Sequence, residues 1–334
     1  MIYIKIFFIF GVKLGEMYFI RNVLWVLLFI TGSVAYGQSD IFLTQQWLSR
    51  INMNPAATGN SNNVDVYLLR RMQWVGFDNA PTTNILNAHS YFNTIQSGLG
   101  FSLMHDKLGV SRQTVDACLS YAYHIDLTEK MLLSLGLSGG MYNNNWDPTR
   151  NILSEEDEKG TWPDKLSRTS ADFNTGLEFN AFGITFGTSV THLLNSGSQG
   201  SKIITDPITG IYEKNYIDAK PGREIYGYLR YRVAINNDLD LASGIMYRYV
   251  NYSNFIDINI TAYYQKSYWL GVSFRPDNSF AAMCGVEYGM FRVGYAYDRS
   301  VGLASPLAGN THEVMLSARF QKPQKGRKTT RFLD

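Results

Sequence analysis

The chain has 334 residues, with Lys+Arg 30 against Asp+Glu 28 and a formal net charge of +2. That length suits about two ordinary domains or one large β architecture, and the charge is too balanced for a nucleic-acid footprint or an acidic tail. Aromatic residues reach 14%, charged residues only 17% and hydrophobic residues 45%, with 29 Gly and 9 Pro; this excludes disorder, collagen, coiled coil and a polytopic helical membrane protein.

At the N-terminus, Arg21-Asn22 precedes an apolar run from Val23 to Ile30, and Ala35-Tyr36-Gly37 follows. A charged start, a short apolar stretch and a small-x-small end make residues 1–37 a signal peptide, with cleavage expected after Gly37. Met17 onward is already a complete signal peptide, so Met17 is an alternative start. The run is too short to span a bilayer, and nothing after Gly37 approaches the ~20 apolar residues of a crossing helix. The mature chain is therefore expected to be exported and to begin at Gln38. Residues 38–63 read as a periplasmic N-terminal segment. Phe42, Trp47, Leu48 and the turn Asn54-Pro55-Ala56 make it a candidate plug.

From residue 64 to residue 320 the dominant signal is period two. Phe173, Thr175, Leu177 and Phe179 alternate with Asp172, Asn174, Gly176, Glu178 and Asn180; Ile256, Ile258, Ile260 and Ala262 alternate with Asp257, Asn259, Thr261 and Tyr263. Each such run is a strand with one apolar and one polar or small face. Fourteen are predicted, at 64–71, 82–92, 98–106, 112–124, 130–142, 169–180, 182–191, 223–234, 239–250, 254–264, 267–275, 279–288, 290–298 and 310–320. The links after even-numbered strands are tight. The long ones, 72–81, 143–168, 192–222 and 299–309, all follow odd-numbered strands. Short turns at one end, long loops at the other and an even strand count are the signature of an all-β, closed antiparallel transmembrane barrel of the outer-membrane type. A Greek-key sandwich has no reason to sort its loops this way. Tyr121, Tyr123, Tyr247, Tyr249, Tyr263, Tyr264, Tyr268 and Trp269 lie near predicted strand ends, where an aromatic girdle would sit. Residues 321–334 form a basic tail.

Little in this pattern carries chemistry. Cys118 and Cys284 are read as unpaired small hydrophobes, and no Cys/His cluster suggests a metal. His89, His105, His124, His192 and His312 are scattered, with no nucleophile beside them. Glu155-Glu156-Asp157-Glu158 lacks the regular spacing of a calcium loop and reads as a solvated surface. Gly136, Gly139 and Gly140 sit inside a strand, where glycine marks a bend or close packing. No catalytic residue, cofactor or metal is expected.

Several strings resemble the PorP/SprF family of outer-membrane proteins, which belongs to the type IX secretion and gliding machinery of Bacteroidota. They are Asn54-Pro55-Ala56 with Gly59; Arg71, Gln73-Trp74, Gly76 and Ala80-Pro81-Thr82; Gly98-Leu99-Gly100 running into Asp106 and Leu108-Gly109; and, near the end, Tyr297-Asp298 and His312-Glu313. The resemblance covers almost the whole mature chain in order, and residues 143–222 match poorly. It implies a non-enzymatic barrel that helps a large adhesin-like exported protein reach or stay on the cell surface, beside periplasmic or lipoprotein components and within outer-membrane lipid. The alternative is a passive channel for small or amphipathic solutes. The exported partner is expected on loops 143–168 and 192–222. Trp74 is read either as an interface hot spot or as a folding element.

Overall fold

In the computed structural model, which describes residues 41–147, 166–194, 199–206, 210–217, 222–250, 253–276, 279–301 and 309–322, the alternation closes on itself. The strands are β1 (Val64–Val75), β2 (Thr82–Phe92), β3 (Ser97–Leu108), β4 (Arg112–Thr128), β5 (Met131–Trp146), β6 (Leu166–Ala181) and β7 (Ile184–Thr191). After β8 (Gln199–Asp206) and β9 (Gly210–Ile217) come β10 (Glu224–Ala234), β11 (Leu239–Val250), β12 (Ser253–Tyr264), β13 (Tyr268–Arg275), β14 (Ser279–Tyr288), β15 (Phe291–Ser300) and β16 (Asn310–Phe320). β8 and β9 pair only with each other, while the other fourteen strands form one closed antiparallel barrel, sealed by β1 against β16. The signal peptide 1–37, the run Glu155–Glu158 and most of the tail 321–334 lie outside the described residues.

A closed sheet leaves no edge strand, so each of the fourteen barrel strands has a ladder partner on both sides. The pleat then separates two kinds of surface. Outward positions are apolar and exposed, such as Leu119, Leu270 and Ile258, a surface suited to lipid. Inward positions such as Asp257, Asn259 and Thr261 are polar and buried.

Two expectations change. Tyr263 and Trp269 were expected in an interfacial girdle, yet they turn into the lumen and pack with Leu43, Tyr67 and Met315. Period two dictates this: Tyr264 and Tyr268 face out, so their chain neighbours face in. The ladder also outruns the alternation. β1 continues to Val75 through a bulge between Met72 and Val75, and Asn143–Trp146 still pairs with Leu166–Thr169. Strand pairing beyond the apolar band needs no apolar face, so the sequence pattern fades before the hydrogen bonds do.

Candidate functional site

Ile41–Asn63 lies inside the barrel and packs against its inward residues. It contains two short 3-10 turns, Gln46–Leu48 and Pro55–Ala57. The second shows why Asn-Pro-Ala stands here. Pro55 opens the turn, where a missing N–H costs nothing, and the Asn54 Oδ1 accepts from the Ala56 N–H at 2.9 Å. The same side chain donates to the Leu177 carbonyl at 3.0 Å and to the Tyr228 hydroxyl at 2.9 Å, tying the turn to the wall.

The wall is hollowed to receive this backbone. A Cβ on Gly136 would stand 2.1 Å from the Ala56 N, one on Gly98 2.1 Å from the Thr58 O, and one on Gly176 2.1 Å from the Asn54 Oδ1. Gly59 has φ +69 and lies against Gly98, so neither position has room for a side chain. Below the turn, the His124 Nε2–H donates to the Thr58 carbonyl at 2.9 Å, while its Nδ1 meets the Ser134 hydroxyl at 2.7 Å. The Gly59 N–H donates to the His89 Nδ1.

Charge does the rest. Arg50 of the segment donates from Nε to the Glu178 Oε2 at 3.0 Å and from Nη2 to Oε1 at 3.3 Å, and both residues are buried. Tyr228 and Asn180 complete the Glu178 carboxylate. Toward the other end, Glu313 accepts from the Thr44 N–H at 2.7 Å, the Gln45 N–H at 3.1 Å and the Arg71 Nη1 at 2.6 Å. Arg71 also reaches Asp298, which Arg275 shares at 2.8 Å, and Arg275 binds Asp257 at 2.7 Å and the Thr44 hydroxyl at 3.2 Å. This network sets three wall carboxylates against two wall guanidiniums. The backbone N–H groups of the segment offset the remaining negative charge, and Arg50 does so for Glu178. A wall charged in this way is complementary to the segment it encloses.

Of the residues singled out from sequence, the lumen gathers Asn54, Pro55, Gly59, Arg71, Asp298 and Glu313. Asp106 also faces inward, in register with Arg71, Thr83 and Glu313, and the others lie elsewhere. Gln73 donates its N–H to the Pro81 carbonyl, Trp74 (φ 54) donates its own to the Thr311 hydroxyl, and Gly76 has φ 109, so these residues shape the β1–β2 corner. Asp106 accepts from Thr83, and Gly109 makes the turn into β4. His312 stands with Tyr295 and Tyr297 on the barrel's outer side. Sequence reasoning missed Thr44, Arg50, Glu178 and Arg275 because their partners are distant in the chain.

It also missed a grouping of Asp116, Cys118 and Asp172, whose donor atoms lie within 4.8 Å of one another and which, among the described residues, is the one set able to hold a metal ion. Within the protein these atoms already bond one another, and Asp172 accepts from the His192 Nδ1 at 2.9 Å. His192 follows the last residue of β7. Burial pulls its pKa down, but the Asp172 hydrogen bond and the charges of Glu224, Asp172 and Asp116 outweigh this and raise it to about 9.

The sequence matches the family model described as type IX secretion system membrane protein PorP/SprF over residues 35–318. No curated protein matches the chain. Among solved structures, the Ralstonia pickettii toluene transporter TbuX is similar at 9% identity and a TM-score of 0.52, over 82% of this chain and 93% of that one. The Pseudomonas putida toluene transporter TodX matches at 8% identity and a TM-score of 0.48, over 85% and 95%. At such identity the likeness is one of fold, that of outer-membrane barrels.

Proposed function

Because the chain belongs to the PorP/SprF family of type IX secretion system membrane proteins, we propose that it serves that machinery as a non-enzymatic outer-membrane barrel. In this role it helps a large adhesin-like exported protein reach or stay on the cell surface. The filled lumen carries this reading: Ile41–Asn63 crosses the barrel and is bonded to its wall at the Glu313, Glu178 and His124 levels. A solute path would need the segment to move, whereas a scaffold needs only rigid strands holding its loops. In this reading the long loops face outward, the exported protein docks on 143–168 and 192–222, and periplasmic or lipoprotein components meet the other rim. The loop at 192–222 carries the β8–β9 hairpin.

A tagged full-length chain should recover the exported protein from native outer membranes, and its deletion should remove that protein from the surface. Normal surface display in the deletion strain would reject the proposal. The second reading, a passive channel for small or amphipathic solutes, is favoured by the barrel's likeness to a toluene transporter. Steady single-channel conductance through the purified barrel, with surface display unaffected by deletion, would select it.

A further inference from the structure

The inner segment has a direction. The Ile41 carbonyl accepts from Arg248, two residues before the end of β11. Phe42 packs edge-on against Phe255, two residues into β12. Thr44 and Gln45 bond Glu313, three residues into β16. These positions all lie at the rim of the long loops. Arg50 reaches Glu178, deeper in the barrel on β6. Thr58 meets His124 and Gly98, toward the short-turn ends of β4 and β3. The chain then enters β1 at Val64 on that same short-turn rim.

We infer that Ile41–Asn63 enters at the long-loop mouth and runs back through its own barrel's lumen as a stopper fixed at the short-turn rim; the cleavage expected after Gly37 leaves its leading end free. Because the fixed end cannot leave its rim, only drawing the free end through toward that rim clears the lumen. A partner that grips the free end among the loops therefore keeps the barrel filled. This inference goes beyond the proposed secretion role and does not depend on which rim faces outward.

The test places single cysteines in the full chain, Asp40→Cys, Ser198→Cys and Asn237→Cys, and labels them with an impermeant maleimide on intact and on permeabilised cells. The unsubstituted chain is the blank, since Cys118 is buried and Cys284 lies on the lipid-facing side. Asp40→Cys should follow Ser198→Cys, the long-loop marker, under both conditions. Labelling that follows Asn237→Cys, the short-turn marker, overturns the inference, and so does no labelling at Asp40 when both markers react. If Ser198 reacts only after permeabilisation, the outward placement of the loops fails, while the inference still stands or falls by the marker that Asp40 follows. A bulky maleimide polymer attached at Asp40→Cys should suppress opening of the purified barrel under voltage. Equal opening with and without the polymer, or no opening of either, overturns the one-way stopper.

Discussion

Near the long-loop rim, the inner segment is held by charge: Glu313 grips the Thr44 and Gln45 amides, and Arg275 reaches the Thr44 hydroxyl. Near the short-turn rim shape is added to hydrogen bonds such as that of His124 with Thr58: the Ala56 and Thr58 backbone lies in hollows left by Gly136 and Gly98. The two grips respond to different things. A charge-assisted hydrogen bond can break, be solvated and re-form. A backbone seated where even a Cβ would stand 2.1 Å away has no such lever. Loosening should therefore begin at the long-loop rim and stop at the Asn54-Pro55-Ala56 turn.

The largest effect is expected where shape is violated. Gly136→Val drives side-chain atoms into the Ala56 backbone, and the cost should exceed the roughly 1–3 kcal/mol of ordinary overpacking. Heat-modifiable barrel should disappear from the outer membrane; a normally assembled, protease-resistant product would show that the inner half is not held by shape. Glu313→Gln comes next, because it leaves buried Arg71 without its closest carboxylate, at about 3–5 kcal/mol. This barrel should assemble, with limited proteolysis cutting ahead of Arg50 and sparing Asn54–Gly59. Cutting on both sides of Arg50 would mean that the two grips are one.

A pair of substitutions separates the inside of the barrel from its outside. Ile258→Arg on the lipid face should cost about 2–4 kcal/mol. In an open lumen Asn259→Arg would be milder, but Asn259 is 2% exposed, beside Gly244 and the Trp47 ring. Both should impair assembly, and only Asn259→Arg should expose the segment to protease. The smallest effect concerns His192. Its raised pKa gives stability that is complete below about 6.5 and lost as pH rises through about 9, on the order of 3 kcal/mol. His192→Gln should thus melt earlier than wild type at pH 6 and converge with it well above pH 9. A gap that persists at high pH would assign the histidine a packing role instead.

Much of the barrel was legible because period two is local. Ile258 and Asn259 declare opposite faces from their own neighbourhood, and the sorted loop lengths separate the two rims. The turn at Asn54 was legible for the same reason. Its receiver was not, because nothing near Gly136 says that Ala56 will lie against it. Arg71 and Glu313 stood out only through family resemblance, and 242 positions separate them in the chain. Trp74 shows a local limit: a strand bulge with positive φ leaves no periodic trace, so its half-buried place at the β1–β2 corner could not be told from an exposed loop.

Glu313 belongs to β16, the strand that seals the ring against β1. The last barrel strand in chain order therefore carries the carboxylate that holds the segment preceding the first. Threading Trp47 and Arg50 through a finished ring would drag a bulky indole and a charge along a packed interior, whereas laying them on a sheet still open along one seam would not. Biogenesis should accordingly run in one order, with the segment deposited first and the seam closed over it. During refolding, protease protection of Ile41–Asn63 and pairing of β1 with β16 should appear in a single kinetic phase, and a seam that closes first would contradict that order.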